Sequence, residues 1–341
     1  MLMGFQRRLT ALIDAVHRLK LIDQSTAVER AWLESCSGPT AGAFLRICPG
    51  LIGPSVRMSP REFTTTCLRR LFLPLPELAH TSARAGLCPA LPAAGGRPCT
   101  RACDNRGAHL TTCATGGGAM IIHDTVNDAL ANFGFRQVYP PNLVLSKRSE
   151  IRDHLLQKFG LARNAQLPFP TPDVMTLGEE TLYVDTRITD PRGDSNMAQG
   201  AAAADGAGAG AAAEAAAAQK LADYRQAFEG NFMRETQFAP FVMEHGGRLS
   251  KSADKILRRL AALHEAKLLN LPPSNKLGPV GNRFLTMIRQ IMSATLHKAT
   301  SRRILTVSDR VLFTQASRAR DGGEFRVLDA LTIAEAVSGL G

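Results

Sequence analysis

Apolar positions along the chain keep two different periods, and these divide it into helical and extended stretches. The first residues, "MLMGFQRRLTALIDAVHRLKLI", place Leu9, Leu12, Ile13, Val16 and Leu19 at helical spacing with charge throughout, which predicts an amphipathic helix and not a signal peptide. "SPREFTTTCLRRLFL" opens with Ser59, Pro60 and an acid in the first turn, a good helix start. In "GGGAMIIHDTVNDALANFG", Ile122, Val126, Leu130 and Phe133 share one helix face, and Gly134 suits a stop. "FRQVYPPNLVL" reads as a strand broken by a Pro-Pro turn, and "SKRSEIRDHLLQKFG" as a short helix ended by Gly160. "PDVMTLGEETLYVDTRIT" alternates and predicts a hairpin. Two further helical patterns span roughly 252–269 and 280–305.

Between these stretches the composition shifts. Residues 86–98, "GLCPALPAAGGRP", look like a Gly/Pro linker, and 197–218 are almost all Ala and Gly. The Gly-rich first half of the latter is a poor helix former. The Ala-rich second half should be helical and continue through "QKLADYRQAFEGNF". Helices around a short sheet predict an α/β (α+β) protein, and 341 residues suffice for two or three domains. The absence of an apolar run of about eighteen residues argues against a transmembrane helix. With no export signal the thiols should stay reduced, so clustered cysteines suggest a metal more than disulfides.

The formal charge is +11, and it is uneven. Between Arg248 and Arg320 there are fifteen Lys/Arg against three acids, which carries the whole excess. Such a region attracts polyanions, nucleic acid being the commonest; a solvated helical surface with no partner is the plainer alternative.

Two clusters carry possible chemistry. "CTRACDNRGAHLTTC" holds Cys99, Cys103, His109 and Cys113 within fifteen residues, with Asp104 to Gly107 as a tight turn between two pairs. Four soft or borderline ligands in short loops suit a structural zinc site, which would leave no coordination position open. Buried thiols acting as small hydrophobes are the alternative. In the hairpin, Asp185 and Arg187 point one way, and Leu182, Val184 and Ile188 the other. With the turn centred on Glu179, paired positions sum to 358 and Asp173 faces Asp185. Like charges at that separation repel, and a divalent cation would relieve them; two carboxylates with phosphate suit Mg²⁺. Two solvent-exposed acids near hairpin ends would look the same. A cation for phosphate chemistry could be Arg187, which stays protonated, or Lys220, on a helix whose packing face is Leu221, Tyr224 and Phe228.

The order of these parts (a Cys/His knuckle, a helix with "IIHDTVNDAL", "TPD", "YVDTRITDP", then "QKLADY") resembles the C-terminal region of non-LTR retrotransposon proteins that carry a restriction-like endonuclease of the PD-(D/E)XK type. The likeness covers roughly residues 30–305. It includes "ERAWLESCSGPTAGAFLRICP" and "MSPREFTTTCLRRLFLPLPE" upstream and "FAPFVMEHGGRLSKSADKILRRLAALH" downstream. It implies a restriction-endonuclease-like mixed sheet flanked by helices. The expected parts are an upstream helical segment 1–86, a zinc knuckle 87–118, a nuclease core 119–240 and a basic helical region 241–341. By that resemblance Cys99, Cys103, His109 and Cys113 are zinc ligands, Asp173 and Asp185 bind catalytic magnesium, and Lys220 is the displaced catalytic lysine. His123 matches the histidine of the family's Arg-His-Asn helix.

DNA is the implied partner, with RNA a second polyanion the charge would suit; His123, Arg258, Arg259, Arg302 and Arg303 are candidate contacts. A nuclear location follows from the resemblance and the basic charge. Departures are Ile122 for the helix arginine, Asp124 for its asparagine, Thr171 before the PD, and the long Ala/Gly stretch before Lys220. No Tyr/Phe-Ala-Asp-Asp signature is present, so polymerase activity is not expected. The expected function is target-site nicking by a retroelement nuclease without its reverse transcriptase. The alternatives are a nucleic-acid-binding remnant that no longer cuts, or a product with no retained activity.

Overall fold

The structure, a computed structural model, describes residues 14, 16–17, 20–47, 56–79, 88–90, 99–178, 181–198, 209–274 and 276–320, with side chains as far as 310. Leu9, Leu12, Ile13 and Leu19 of the expected first helix, the hairpin tip at Glu179, residues 199–208 of the Ala/Gly stretch and residues 321–341 lie outside these.

Four strands form one mixed sheet in the order β1 (Val144–Leu145), β2 (Val174–Thr176), β3 (Tyr183–Thr189) and β4 (Phe238–Glu244). The first two pairings are antiparallel, and β3 and β4 run parallel over seven residues, from Tyr183 beside Phe238 to Thr189 beside Glu244. The molecule is thus mixed α/β, as its pattern predicted. The hairpin register also agrees: Val174 faces Val184 and Met175 faces Tyr183, positions that sum to 358.

The helices cover both faces of the sheet because the strands present apolar side chains to both, as buried strands do. Val184 of β3 and Phe241 and Met243 of β4 point into the larger core. That core is closed by α4 (Gly118–Ala129), α9 (Lys251–Leu269) and α10 (Pro279–Arg320) through Ile122, Val126, Leu257, Leu260, Ile288 and Met292. Phe44 and Val56, far upstream, join the same core. Tyr183 and Phe238 point the other way, into a cluster with Ile151 and Leu155 of α5 (Arg148–Lys158) and with Tyr224. Each fully buried aliphatic or aromatic side chain here stabilises the fold by roughly 1.5–3 kcal/mol.

Upstream, α1 (Ala27–Ser35) and α2 (Pro60–Arg70) both begin with capping boxes, Thr26 with Glu29 and Ser59 with Glu62. Each box satisfies two otherwise orphaned amides. Trp32 of α1 donates its indole N–H to the Arg69 carbonyl at 2.9 Å, and the Arg192 guanidinium lies 4.3 Å from the Trp32 ring centre. Arg192 is also paired with Asp190 at 2.8 Å, which ties α1 to the end of β3.

Two local expectations change. "FRQVYPPNLVL" is not one interrupted strand: residues 136–138 continue the preceding helix, and only Val144–Leu145 extend into the sheet. Nor does Gly134 stop a helix. The chain passes it in a π turn, Leu130–Phe135, and a Cβ there would lie 3.0 Å from Ile288 Cδ1 and 3.2 Å from Leu260 Cδ1. The glycine is there for close helix packing. The Ala-rich half of 197–218 is helical as expected, as α7 (Ala211–Asp223), followed by α8 (Arg225–Glu229). No helix among the described residues is long and apolar enough to cross a membrane.

Candidate functional site: an acidic cleft beside a Cys/His cluster

Asp173 stands immediately before β2, and its amide donates to the Val184 carbonyl at 2.9 Å, so that its side chain joins that of Asp185 of β3 at the same cleft. Both carboxylates are more than nine-tenths buried at the wall of an open cleft of about 410 Å³. The cleft is also bordered by His123, Arg148, Arg187 and Lys220. The structure therefore gathers Asp173, Asp185, Lys220, Arg187 and His123 at one site.

Each acid is held by a cation from a different helix. Lys220, on α7, places Nζ 2.8 Å from Asp185 Oδ1. The helix can do this because Ala213, Ala216 and Ala217, which have no side chain beyond Cβ, pack it directly on Val242 of β4. Downstream, Tyr224 anchors its end by stacking on Phe238 with ring centres 4.1 Å apart. Leu221 and Phe228 lie against the same cluster, the packing face expected for this segment.

His123, on α4, places Nε2 3.1 Å from Asp173 Oδ2 and 3.1 Å from the Thr186 carbonyl, and Nδ1 3.0 Å from Asp124 Oδ1. One turn on, Asn127 donates Nδ2 to the Asp173 carbonyl at 3.2 Å and accepts from the Thr186 hydroxyl at 3.3 Å. Asn127 was not among the expected site residues. Its signal was the spacing of four from His123, which puts both on one helix face.

The electrostatics of the pair follow from this placement. Burial opposes ionisation of Asp173, but His123 and the Thr186 amide, which donates to Asp173 Oδ2 at 2.8 Å, hold its pKa below the ordinary value. Burial pushes Asp185 up to about 6; Lys220 works against this, and the neighbouring Asp173 charge adds to it. Burial depresses His123, yet its bond to Asp173, that charge and Asp124 outweigh the effect and carry it up to about 9. His123 is therefore an imidazolium at neutral pH. The Tyr224 hydroxyl is buried close to Asp185; burial first, and then the Asp185 carboxylate beside it, raise its pKa.

The second cluster differs from its expected composition. Cys88, Cys99, His109 and Cys113 bring their ligand atoms within 4.8 Å of one another, a Cys₃His set that could hold a metal ion. Cys88 Sγ is 3.7 Å from Cys113 Sγ, and Cys99 Sγ is 3.3 Å from His109 Nε2. Cys103 is not in this set. Its side chain shares a small core with Cys88, Cys113, Leu75, Leu110 and Ile304, its thiol lies 3.7 Å from the Asp104 carbonyl, and burial pushes its pKa up to about 12.

Cys88 sits in the stretch that looked like a linker, but its amide donates to the Arg101 carbonyl at 2.9 Å, which brings it back over the knuckle. Asp104 organises the turn by accepting from the amides of Arg106, Ala108 and His109, and so starts the short helix α3 (Ala108–Thr112) that presents His109. Burial, with Arg101 nearby, lowers the His109 pKa and favours the neutral, ligating imidazole.

The chain matches no protein-family model, no curated protein and no solved structure. What it does must be argued from the two clusters themselves.

The four expected nucleic-acid arginines do not share one surface. Arg258 is paired with Asp254 at 2.7 Å, and Arg259 borders a separate cleft between α7 and α9. Arg302 and Arg303 border a third, between α4 and α10, where Arg303 is buried and donates Nη2 to the Thr115 carbonyl at 3.0 Å.

Proposed function

We propose that this chain is a Mg²⁺-dependent DNA endonuclease of the restriction-like, PD-(D/E)XK kind, related to those of non-LTR retrotransposons. The observation that carries the reading is the meeting of Asp173, Asp185 and Lys220 in one open cleft. The donor set suits a hard divalent cation. Two buried carboxylates lie side by side; burial first, and then the Asp173 charge, raise the Asp185 pKa against the pull of Lys220, and Mg²⁺ prefers one or two carboxylates with substrate phosphate as partner. When bound, the ion would draw charge from the scissile phosphate and orient a water for in-line attack.

The chain's own residues do the rest. His123 and the Thr186 amide fix Asp173 through one oxygen and leave the other for the cation. Lys220, beside Asp185 at 2.8 Å, would supply an ammonium to the phosphate. Arg187 and Arg148 border the cleft and add positive charge where a sugar-phosphate chain would enter. The Cys₃His cluster would hold zinc in a structural role, since three thiolates and an imidazole complete a tetrahedral shell. DNA as partner, RNA as a second polyanion and a nuclear location belong to this reading. Nuclease chemistry, not polymerisation, is the activity proposed for these residues.

The test is nicking of supercoiled plasmid by the zinc-loaded protein in Mg²⁺. Asp173→Ala and Asp185→Ala should each cut at least 100-fold more slowly, while gel-shift affinity stays within about threefold. Variants that cut like the parent would overturn the assignment. A second reading, a nucleic-acid-binding protein that does not cut, draws on one observation: Lys220 and His123 already give each acid a cationic partner. Binding by the parent with no cutting in Mg²⁺ or Mn²⁺ would favour it.

A further inference from the structure

Helix α4 has a second flank that the acidic cleft does not use. Its buried stripe, Ile122, Val126 and Ala129, faces the core, and its solvent edge carries Met120, Ile121, Asp124, Thr125 and Asp128. On one side of that edge, His123 and Met120 border the acidic cleft. On the other, Ile121 and Thr125 border a groove of about 340 Å³ whose far wall is α10. That groove is lined by Lys298, Arg302, Arg303 and Arg310; Glu62 pairs with Arg302 beside it, which leaves the lining with a net positive charge.

The groove is built into the fold. Arg303 is more than nine-tenths buried, and its Nε has no partner. The first residue of α4, Gly118, lies so close to this guanidinium that a Cβ there would stand 2.1 Å from Nε. Arg303 also reaches the Thr115 carbonyl, two residues after the metal-cluster ligand Cys113, so the same cluster that starts α4 sets the end of the groove. Met120 and Ile121 are 54% and 55% exposed on the ridge between the two sites.

We infer that this groove receives backbone phosphates of the second strand of a DNA duplex, with the solvent edge of α4 lying in the major groove between the two strands. An α-helix is about 10–12 Å across with its side chains, and the B-form major groove is about 12 Å wide. A helix seated there has a phosphate chain along each flank. One would enter the acidic cleft and the other the basic groove. The apolar Met120 and Ile121 would face base edges and thymine methyl groups, and Asp124 and Asp128 would sit over bases, away from phosphate. The inference extends the DNA reading above from one strand to two. It needs the protein to bind duplex but not to cut it.

The experiment is fluorescence anisotropy on the full zinc-loaded chain without added Mg²⁺, comparing a 20-base-pair DNA duplex with one of its single strands. The double variant Thr306→Glu/Arg310→Ala alters two exposed residues of the groove and spares Arg302, Arg303 and the core; an unchanged melting temperature checks its fold. Duplex affinity should fall at least tenfold, with a salt dependence shallower by about one unit of log K per log salt, while single-strand affinity stays within twofold. Unchanged duplex binding would overturn the inference. So would an equal loss for the single strand, which would mean only a general positive surface. So would a parent that prefers duplex RNA, whose deep narrow major groove cannot admit a helix. Failure to nick plasmid leaves these binding outcomes untouched and bears on the nuclease reading alone. A parent that binds neither duplex nor strand would sink both.

Discussion

Replacing Asp185 by asparagine should make the protein more stable at pH 8 and remove its response to Mg²⁺. Asp185 has a folded-state pKa of about 6 against an ordinary 3.8. At about 1.4 kcal/mol per pKa unit, that difference amounts to roughly 3 kcal/mol. The folded pKa is raised, so the native state holds the proton more tightly than the unfolded chain. The associated stability is therefore full below about pH 3.8 and is lost as pH rises through about 6. Asparagine carries no such dependence. Some of the gain is offset because Lys220 loses its partner, but its side chain is 20% exposed and can rehydrate. Asp173, held below its ordinary pKa, contributes in the opposite sense; because it interacts with Asp185, its share shifts with the substitution and widens the expected range.

The expected net gain is about 1–3 kcal/mol at pH 8, vanishing by about pH 4, and urea unfolding across that range with zinc held constant would measure it. Added Mg²⁺ should reverse the order of benefit. A site of about 1 mM affinity in about 10 mM Mg²⁺ stabilises the parent by about 1.4 kcal/mol and leaves Asp185→Asn nearly unmoved. If the variant is less stable than the parent at pH 8, or if Mg²⁺ stabilises both equally, the two carboxylates do not form a strained cation site.

The metal cluster separates two otherwise similar substitutions. Cys88→Ser should lose its equivalent of zinc, measured by native mass spectrometry, and unfold at lower temperature, whereas Cys103→Ser should keep the metal and lose only about 1–2 kcal/mol from a small core; the reverse pattern would restore the spacing-based ligand set. Tyr224→Phe removes a buried hydroxyl whose nearest polar neighbour is Asp185 and which lacks a well-formed hydrogen bond, so chemical denaturation should show stability unchanged or raised by up to about 1 kcal/mol; a loss larger than that would mean the hydroxyl bonds the Asp185 carboxylate.

What could be read from the chain, and what could not, divides by the range of the interaction. The β2–β3 register was legible because strand alternation and a short connection leave few pairings; Asp173 and Asp185 are placed by that local geometry. The Ser59 helix start and the packing face of Leu221, Tyr224 and Phe228 were legible for the same reason. Cys88 was not, because ten residues separate it from Cys99 and the stretch between is Gly/Pro-rich; only its long return hydrogen bond to Arg101 brings it to the cluster. The unusual three-residue gap between Cys99 and Cys103 was the one available warning. Helix α10 misled in another way. Its charge suggested a solvated surface, but small polar residues such as Ser293, Thr300 and Ser301 let neighbours approach on every side and bury even Arg303. Likewise Gly134 resembled a stop because packing against Ile288, 154 positions downstream, leaves no local trace.

Lys220 takes its position from strand β4, downstream of it, through three alanines on Val242, while α6 (Asp194–Ala198) lies upstream of it. The interval between Ala198 and Gly210 can therefore lengthen or shorten over generations at little expense, since doubling the length of a loop adds only about 0.6 kcal/mol of closure entropy. A repetitive alanine–glycine tract, the kind of sequence that replication slippage expands and contracts, could accumulate here while the ammonium stays on the same carboxylate.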